Sequence, residues 1–289
     1  MSPRTTTART AALVAVAGLA LAACSGGTGS DTSTPSASGS ASAPAAATGE
    51  DTSLTDVQEA GVLTVGTEGT YRPFSFHEDG SGDLTGFDVE IAQAVGEELG
   101  VEVEFEETQW DAIFAGLEAG RFDAIANQVS ITPEREQDYT FSQPYTYSTG
   151  VVVVPADDDT ISSFEDLAGK RTAQSLTSNW YALAEESGAT IEAVEGWAQS
   201  VALVEQARVD ATINDKLTFL DHQKQTGSDA LKIAAETEDE SQSAFALRQG
   251  SDALAAAIDE ALATLAADGT LAEISEKYFG ADVTVPAAG

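Results

Sequence analysis

From Leu54 onward, two kinds of hydrophobic pattern take turns along the chain. "VLTVGTE" (62–68) is a mainly apolar run of the kind a buried strand shows, and "VEVEFEE" (101–107) alternates with period two. "GFDVEIAQAVGEELG" places Val89, Ile91, Ala92, Val95 and Leu99 at helical spacing and stops on Gly100, a residue suited to the left-handed C-cap. "WDAIFAGLEAG" predicts a helix ending at Gly120, and "FDAIANQVSI" a strand. "RTAQSLTSNWYALAEESG" predicts a short strand, cap-like residues Thr177, Ser178 and Asn179, and a helix to Gly188. Alternation of this kind predicts an α/β protein with a mostly parallel sheet.

The pattern also echoes itself. "LEAGRFDAIAN" (117–127) resembles "LVEQARVDATIN" (203–214), each read as a helix, then Arg, an apolar residue, Asp and Ala, then a strand ending on Asn. Asp123 corresponds to Asp210. A repeated helix–strand unit predicts two lobes of similar topology. Ligands of open α/β sheets sit beyond the C-terminal ends of the strands. That rule places Asn127 to Ser130 on one wall of a cleft, and Asn214 and Asp215 on the other.

Charge removes whole classes of function. The 289 residues carry 13 Lys+Arg against 48 Asp+Glu, a net charge of −35. A nucleic-acid binder needs a basic stripe, so no nucleic-acid partner is expected, and the charge favours a soluble monomer. Cys24 is the single cysteine, which excludes an internal disulfide. His77 and His222 stand apart, and no cluster has the spacing of a metal site, so neither metal nor cofactor is expected. "DDD" at 157–159 reads as a solvated loop.

The N-terminus reads as a targeting segment. Arg4 and Arg9 precede the apolar run "AALVAVAGLALAA" (11–23), which is short for a bilayer span and has the layout of a secretory signal. It ends in Leu21-Ala22-Ala23-Cys24, which resembles the bacterial lipoprotein box. That resemblance implies cleavage before Cys24 and lipid on it; the alternative is an ordinary signal peptide that contains a Cys. The Ser-, Gly-, Ala-, Thr- and Pro-rich stretch that follows has no apolar periodicity and reads as a flexible tether.

"NQVSITPER" (127–135) puts an arginine in a helix's first turn. Thr132 would cap and Pro133 would take the first helical position, leaving Arg135 at about the third. The positive end of a helix disfavours a cation. Arg135 is therefore either a solvated surface residue or part of an anion site built from free N–H groups and a guanidinium. A second helix start at Thr177–Asn179 offers similar donors, and Asp215 adds a carboxylate. One cation and one anion in a cleft fit a zwitterion, with its α-carboxylate on Arg135 and its α-ammonium on Asp215.

At these residues the chain resembles the extracellular solute-binding proteins, family 3, of polar amino-acid ABC transporters. The likeness runs from Gly61 to Thr284 through "VGTEGTYRPFSF", "LTGFDVEIAQAV", "WDAIFAGL", "GRFDAI", "SITPER", "FSQPY", "DLAGKR", "VDATIND" and "DGTLAEISEKYFG", in the family's order. It implies a two-lobed, periplasmic-binding-protein-like (type II) fold, with two α/β lobes joined by two crossing strands and the ligand cleft between. The crossings fall near "TGVVVV" and "SAFALR". The expected organisation is a signal peptide at 1–23, lipidated Cys24 and tether to 53, lobe 1 at 54–149 plus 245–289, and lobe 2 at 150–244. The resemblance implies that Arg135 grips the ligand carboxylate, helped by Thr177 or Ser178 and the backbone near Ser130, and that Asp215 accepts from the ammonium. Tyr71 and Trp110 would wall the side-chain pocket, with Glu68, Asn127 and Gln128 as polar contacts. Leu176 stands where the family has Gly before its carboxylate-binding Thr, so the turn there is expected to differ.

"EGTYRPFSF", "NQVSI" and "SEKYFGADVT" look most like the cystine-binding branch, where Glu68 would meet the second ammonium of a double zwitterion. The function implied is capture of a polar amino acid, L-cystine foremost, by hinge closure and delivery to an ABC permease in the membrane. The protein would be held by its lipid on the outer face of the bacterial cytoplasmic membrane. Two alternatives use the same fold: an enzyme resembling cyclohexadienyl dehydratase, and a sensor serving a separate signalling partner. No nucleophile–base pair or metal cluster favours an enzyme, and no kinase or transmembrane segment favours a built-in sensor.

Overall fold

The structure, a computed structural model, describes residues 50–287. The signal segment 1–23, Cys24 and the tether through residue 49 lie outside the described residues. In chain order, the first lobe contains α1 (Ser53–Ala60), β1 (Val62–Thr67), β2 (Thr70–Tyr71), β3 (Ser75–His77), β4 (Leu84–Thr85), α2 (Phe87–Leu99), β5 (Glu102–Glu107), α3 (Trp110–Glu118), β6 (Ala124–Ser130), the single turn α4 (Arg135–Asp138), β7 (Tyr139–Phe141) and β8 (Thr146–Ser148). The second contains β9 (Gly150–Pro155), β10 (Arg171–Gln174), α5 (Asn179–Glu186), β11 (Thr190–Ala193), α6 (Trp197–Glu205), β12 (Thr212–Asp215), α7 (Lys216–Thr226) and β13 (Leu231–Glu236). The chain then returns to the first lobe through β14 (Ser241–Arg248), α8 (Asp252–Asp268) and α9 (Thr270–Phe279). This is the two-lobed α/β architecture that the motif order implies.

The main sheet runs β5-β1-β6-β14-β7, with β8 also on β14. β1 is parallel to β5 and β6, whereas β14 is antiparallel to β6, β7 and β8. In the second lobe β10 and β11 are parallel, but β9 is antiparallel to both β12 and β13. The expectation of a mostly parallel sheet therefore holds only for strands joined through helices. β9 and β14 begin where the chain passes between lobes, so each enters its sheet from the end opposite to the parallel strands. The two crossings lie near each other: Ser148 pairs with Ser241, and Val151 with Glu236.

The apolar runs are explained by burial on both faces. In β9, Val151 and Val153 pack with Val204 and Phe219, while Val152 and Val154 pack on the other face with Leu167 and Ile213. In β6, Ala124 and Ala126 join the cluster of Phe87, Ile91 and Phe245, and Ile125 and Val129 face Ile113, Leu117 and Phe122. Each fully buried valine or isoleucine contributes about 1.5–3 kcal/mol of transfer free energy. α2 ends where the sequence places its cap, with Gly100 at φ 73°.

The internal echo is a structural repeat, and it extends further than the Asp and Asn positions. Residues 110–127 and 197–214 align without a gap, from Trp110/Trp197 through Arg121/Arg208 and Asp123/Asp210 to Asn127/Asn214. The Asp pair does the same work in each lobe. Asp123 Oδ2 accepts from the Thr64 N–H and its own N–H donates to the Thr64 carbonyl; Asp210 makes the same pair of bonds with Arg171. The repeat also accounts for Ala207 at φ 53°, a left-handed position that its counterpart Gly120 occupies at φ 69°.

Candidate functional site

A cavity lies between the lobes at the C-terminal ends of β1, β6, β10 and β12, where Glu68, Asn127, Gln128, Gln174, Ser175 and Asn214 line it. The rule for open α/β sheets thus holds in both lobes at once. Its aromatic walls are Tyr71, Trp110, Trp180 and Trp197, which include all three tryptophans of the chain. The repeat relates several of these residues: Trp110 to Trp197 at the starts of α3 and α6, and Asn127 to Asn214 on β6 and β12.

Polar groups of the lining are partly satisfied and partly free. Asn127 ties β6 to the end of β1: its Oδ1 accepts from the Thr67 hydroxyl (3.0 Å) and the Glu68 N–H (2.9 Å), and its Nδ2 donates to Glu68 Oε2 (2.7 Å). Burial pushes the Glu68 carboxyl up to about 7, against the pull of the Asn127 bond, and the charge of Asp111 adds to the rise. Gln128 sits at φ 51°, a conformation that costs a non-glycine residue of order 1 kcal/mol or more. Asp88 over-determines it, accepting from the Gln128 N–H and Nε2, each at 2.7 Å. Three buried atoms of the lining lack a hydrogen-bond partner: Trp110 Nε1, Gln128 Oε1 and Gln174 Nε2. Two donors and one acceptor left bare in this way are costly unless something polar meets them.

Arg135 and Asp215 flank the cavity without lining it. Thr132 caps the turn that carries Arg135, accepting from the Arg135 N–H at 3.2 Å. α4 is a single turn, too short to develop a useful dipole. The helix-dipole part of the expected anion site is thereby corrected, and the cation rests on the guanidinium alone. That group lies 5.5 Å from the Trp110 ring and 5.2 Å from Phe114, and donates to the carbonyls of Ser130 (2.9 Å) and Thr177 (3.2 Å). No carboxylate pairs with it among the described residues. Burial lowers its pKa to about 10, so it stays charged at neutral pH. Asp215 is 5% exposed, and its Oδ1 accepts from the Ser148 hydroxyl (2.7 Å) and caps α7 through the Leu217 N–H (2.8 Å). Burial pushes its carboxyl up to about 6, while these two bonds act in the opposite sense.

The hydroxyls expected beside the carboxylate are engaged elsewhere. The Ser178 hydroxyl caps α5, accepting from the Tyr181 N–H at 3.0 Å and donating to the Ser175 carbonyl at 3.0 Å, although Ser178 does line the cavity. Thr177 turns to Asp111, and the Ser130 hydroxyl accepts from that of Ser241 at 3.0 Å. Sequence reasoning missed Gln174, Trp180 and Trp197. The repeat would have found Trp197 from Trp110. Gln174 stands at the end of β10, the strand that meets β12 at Thr172–Ala211 as β1 meets β6 at Val65–Ala124.

Residues 63–281 match the family model of bacterial extracellular solute-binding proteins, family 3. The chain belongs to that family. It is 54% identical over 228 residues to a probable amino-acid ABC transporter-binding protein of Haemophilus influenzae, covering 79% of this chain and 88% of that one. It is 48% identical over 228 residues to the L-cystine-binding protein TcyA of Bacillus subtilis, covering 79% and 85%. Among solved structures, the L-cystine solute receptor of Neisseria gonorrhoeae in its unliganded open conformation is 45% identical with a TM-score of 0.55, over 81% of this chain and 99% of that one. An ancestral arginine-binding protein bound to arginine is less similar in sequence, at 35%, yet scores 0.71 over 76% and 99%. The whole chain thus superposes better on the liganded protein than on the open receptor. The hydrogen bonds that cross the cleft, from Tyr71 to Asn214 and from Arg135 to Thr177, describe a closed arrangement.

Proposed function

We propose that this member of the solute-binding family captures L-cystine outside the cell and hands it to an ABC permease, without transforming it. The observation that carries the reading is the interlobe cavity, with bare polar atoms on Trp110, Gln128 and Gln174 and a carboxyl held at about 7 on Glu68. Cystine has two ammonium and two carboxylate groups about a disulfide. Asp215 and Glu68 are the acceptors for the two ammonium groups. Arg135 is the cation for one carboxylate, and the aromatic walls suit the sulfur bridge. The names of the TcyA and gonococcal relatives add support for cystine, and those of close relatives describe binding proteins. The two lobes expected from sequence, with crossings near "TGVVVV" and "SAFALR", would supply the closing motion. Lipid on Cys24 would keep the folded part near the permease.

The direct test follows intrinsic tryptophan fluorescence during titration with L-cystine, since every tryptophan lines the cavity. Saturable binding at micromolar cystine, with weaker binding of glutamine and arginine, is the expected result. Saturation by another polar amino acid but not by cystine would keep the transport reading and remove the ligand. No response to any amino acid, in fluorescence or in thermal shift, would remove both.

A further inference from the structure

α3 opens with Trp110 on the cavity wall, and the next residue, Asp111, reaches across the cleft. Asp111 Oδ1 accepts from the Thr177 N–H at 3.2 Å and from the Thr177 hydroxyl at 2.9 Å. The Thr177 carbonyl accepts from Arg135 Nη2 at 3.2 Å, and Nη1 of the same guanidinium is anchored on the Ser130 carbonyl at 2.9 Å. One residue of the second lobe is therefore held by an anion and a cation of the first. Its N–H, hydroxyl and carbonyl are all engaged across the cleft.

We propose that Asp111 and Thr177 form a clasp that stabilises the closed arrangement of the lobes, so that Asp111 governs affinity through the closing equilibrium and not through the ligand. Neither residue lines the cavity, and both donors of Thr177, its N–H and its hydroxyl, are spent on Asp111. The repeat puts Ala198 in the second lobe where the first has Asp111, so the carboxylate is not a requirement of the repeated helix–strand unit. The donors of Thr177 that family resemblance assigns to a ligand carboxylate are taken by a carboxylate of the chain itself. Because the contact acts on the closed state and not on the ligand, its loss should weaken all ligands by a common factor. If Asp111 instead competed with the ligand for Thr177, its removal would strengthen binding.

The consequence for affinity rests on the amino-acid reading above, but the clasp can be judged without any ligand. The experiment is small-angle scattering of the ligand-free full chain for wild type, Asp111→Ala, Thr177→Val and the double variant, with L-cystine titrations beside it. Both side chains are exposed, so folding should survive, and circular dichroism checks this. Asp111→Ala should enlarge the radius of gyration, and Thr177→Val, which keeps the N–H, should do so less. The double variant should not exceed Asp111→Ala. Cystine affinity should fall about two- to tenfold, as for loss of one or two surface hydrogen bonds, with faster dissociation. Identical ligand-free scattering of wild type and Asp111→Ala overturns the clasp, as does a gain in affinity. Failure of the wild type to bind any amino acid would count against the capture reading alone, since scattering still decides the clasp.

Discussion

The phenolic hydroxyl of Tyr71 donates to Asn214 Oδ1 at 2.9 Å and accepts from the Thr218 hydroxyl at 3.2 Å, so one side chain of the first lobe is bonded twice to the second. Its ring rests on Phe74, with centroids 5.1 Å apart, and forms part of the cavity wall. Tyr71→Phe keeps the ring and removes only the cross-cleft bonds. A net hydrogen bond contributes about 0.5–1.5 kcal/mol, so cystine affinity should fall about two- to tenfold. Calorimetric titration checks this, and an unchanged affinity would show that these bonds do not belong to the liganded state.

Gly150 marks the start of β9 at the crossing between lobes. A Cβ added there would lie 2.4 Å from the Trp180 ring, inside any real contact distance. Gly150→Ala must therefore displace a rigid aromatic that lines the cavity, with an overpacking cost of about 1–3 kcal/mol. We expect a lower melting temperature together with weaker cystine binding and an altered fluorescence response. Loss of stability with unaltered binding would mean that Trp180 is not part of the ligand wall.

Arg135 gathers more roles than a surface arginine would. Its guanidinium bridges Ser130 and Thr177, packs on Trp110 and Phe114, and has no anionic partner among the described residues. If a ligand carboxylate supplies that partner, Arg135→Ala should cost roughly 3–5 kcal/mol, on the order of a few hundred- to a few thousand-fold in affinity. Arg135→Lys should recover part of this, since lysine keeps the charge but lacks the planar fork. Near-normal binding by the alanine variant would assign the carboxylate to other donors.

How much of this was legible in the sequence depended on whether a residue's partner was local. Helix ends were readable because Gly100 and the Thr132-Pro133 pair act on their own backbone. The parallel strands were readable from the alternation with helices. The antiparallel pairing of β9 and β14 was not, because it follows from where the chain re-enters each sheet. Tyr71, Trp110, Glu68, Asn127 and Gln128 were placed in the site, and all five line the cavity. Leu176 is exposed and Thr177 faces Asp111, a partner 66 residues away that no local pattern announces. No local pattern announces Asp88, whose support of Gln128 is made over 40 residues of chain.

The proposed lipidation at Cys24 has a separable consequence. The Leu21–Cys24 box, if lipidated, would attach the chain to a membrane, and no described helix is long and apolar enough to cross one. Cys24→Ala should move the protein from the membrane fraction to the soluble fraction on fractionating the native host, with cystine affinity unchanged. Retention of the variant in the membrane fraction would point to an anchor other than lipid.

Asp215 should trade stability for binding, and the sign can be worked out. Its carboxyl is pushed up to about 6 by burial, from an ordinary value of 3.8. The folded protein therefore holds more protons here than the unfolded chain between those values, so stability from this group is lost as pH rises through about 6. Asparagine is a good N-cap and can still accept from the Leu217 N–H, while carrying no charge. Ligand-free Asp215→Asn should thus melt at the same or a higher temperature than wild type at pH 8, and the difference should vanish near pH 4. Binding should respond in the opposite direction. An ammonium beside Asp215 favours its ionised form, so cystine should drive protons off the wild type near pH 6 and bind less tightly as pH falls from 8 to 5. Asp215→Asn should lose about ten- to a hundredfold in cystine affinity, in line with a charge-assisted bond contributing about 1.5–3 kcal/mol. It should also release fewer protons; the remainder belongs to Glu68, held at about 7, and should disappear in Glu68→Gln/Asp215→Asn. Titration calorimetry at pH 6 in two buffers of different ionisation heat reads the proton count directly. Equal release by wild type and Asp215→Asn would show that the ammonium is read elsewhere and that Asp215 serves only to cap α7.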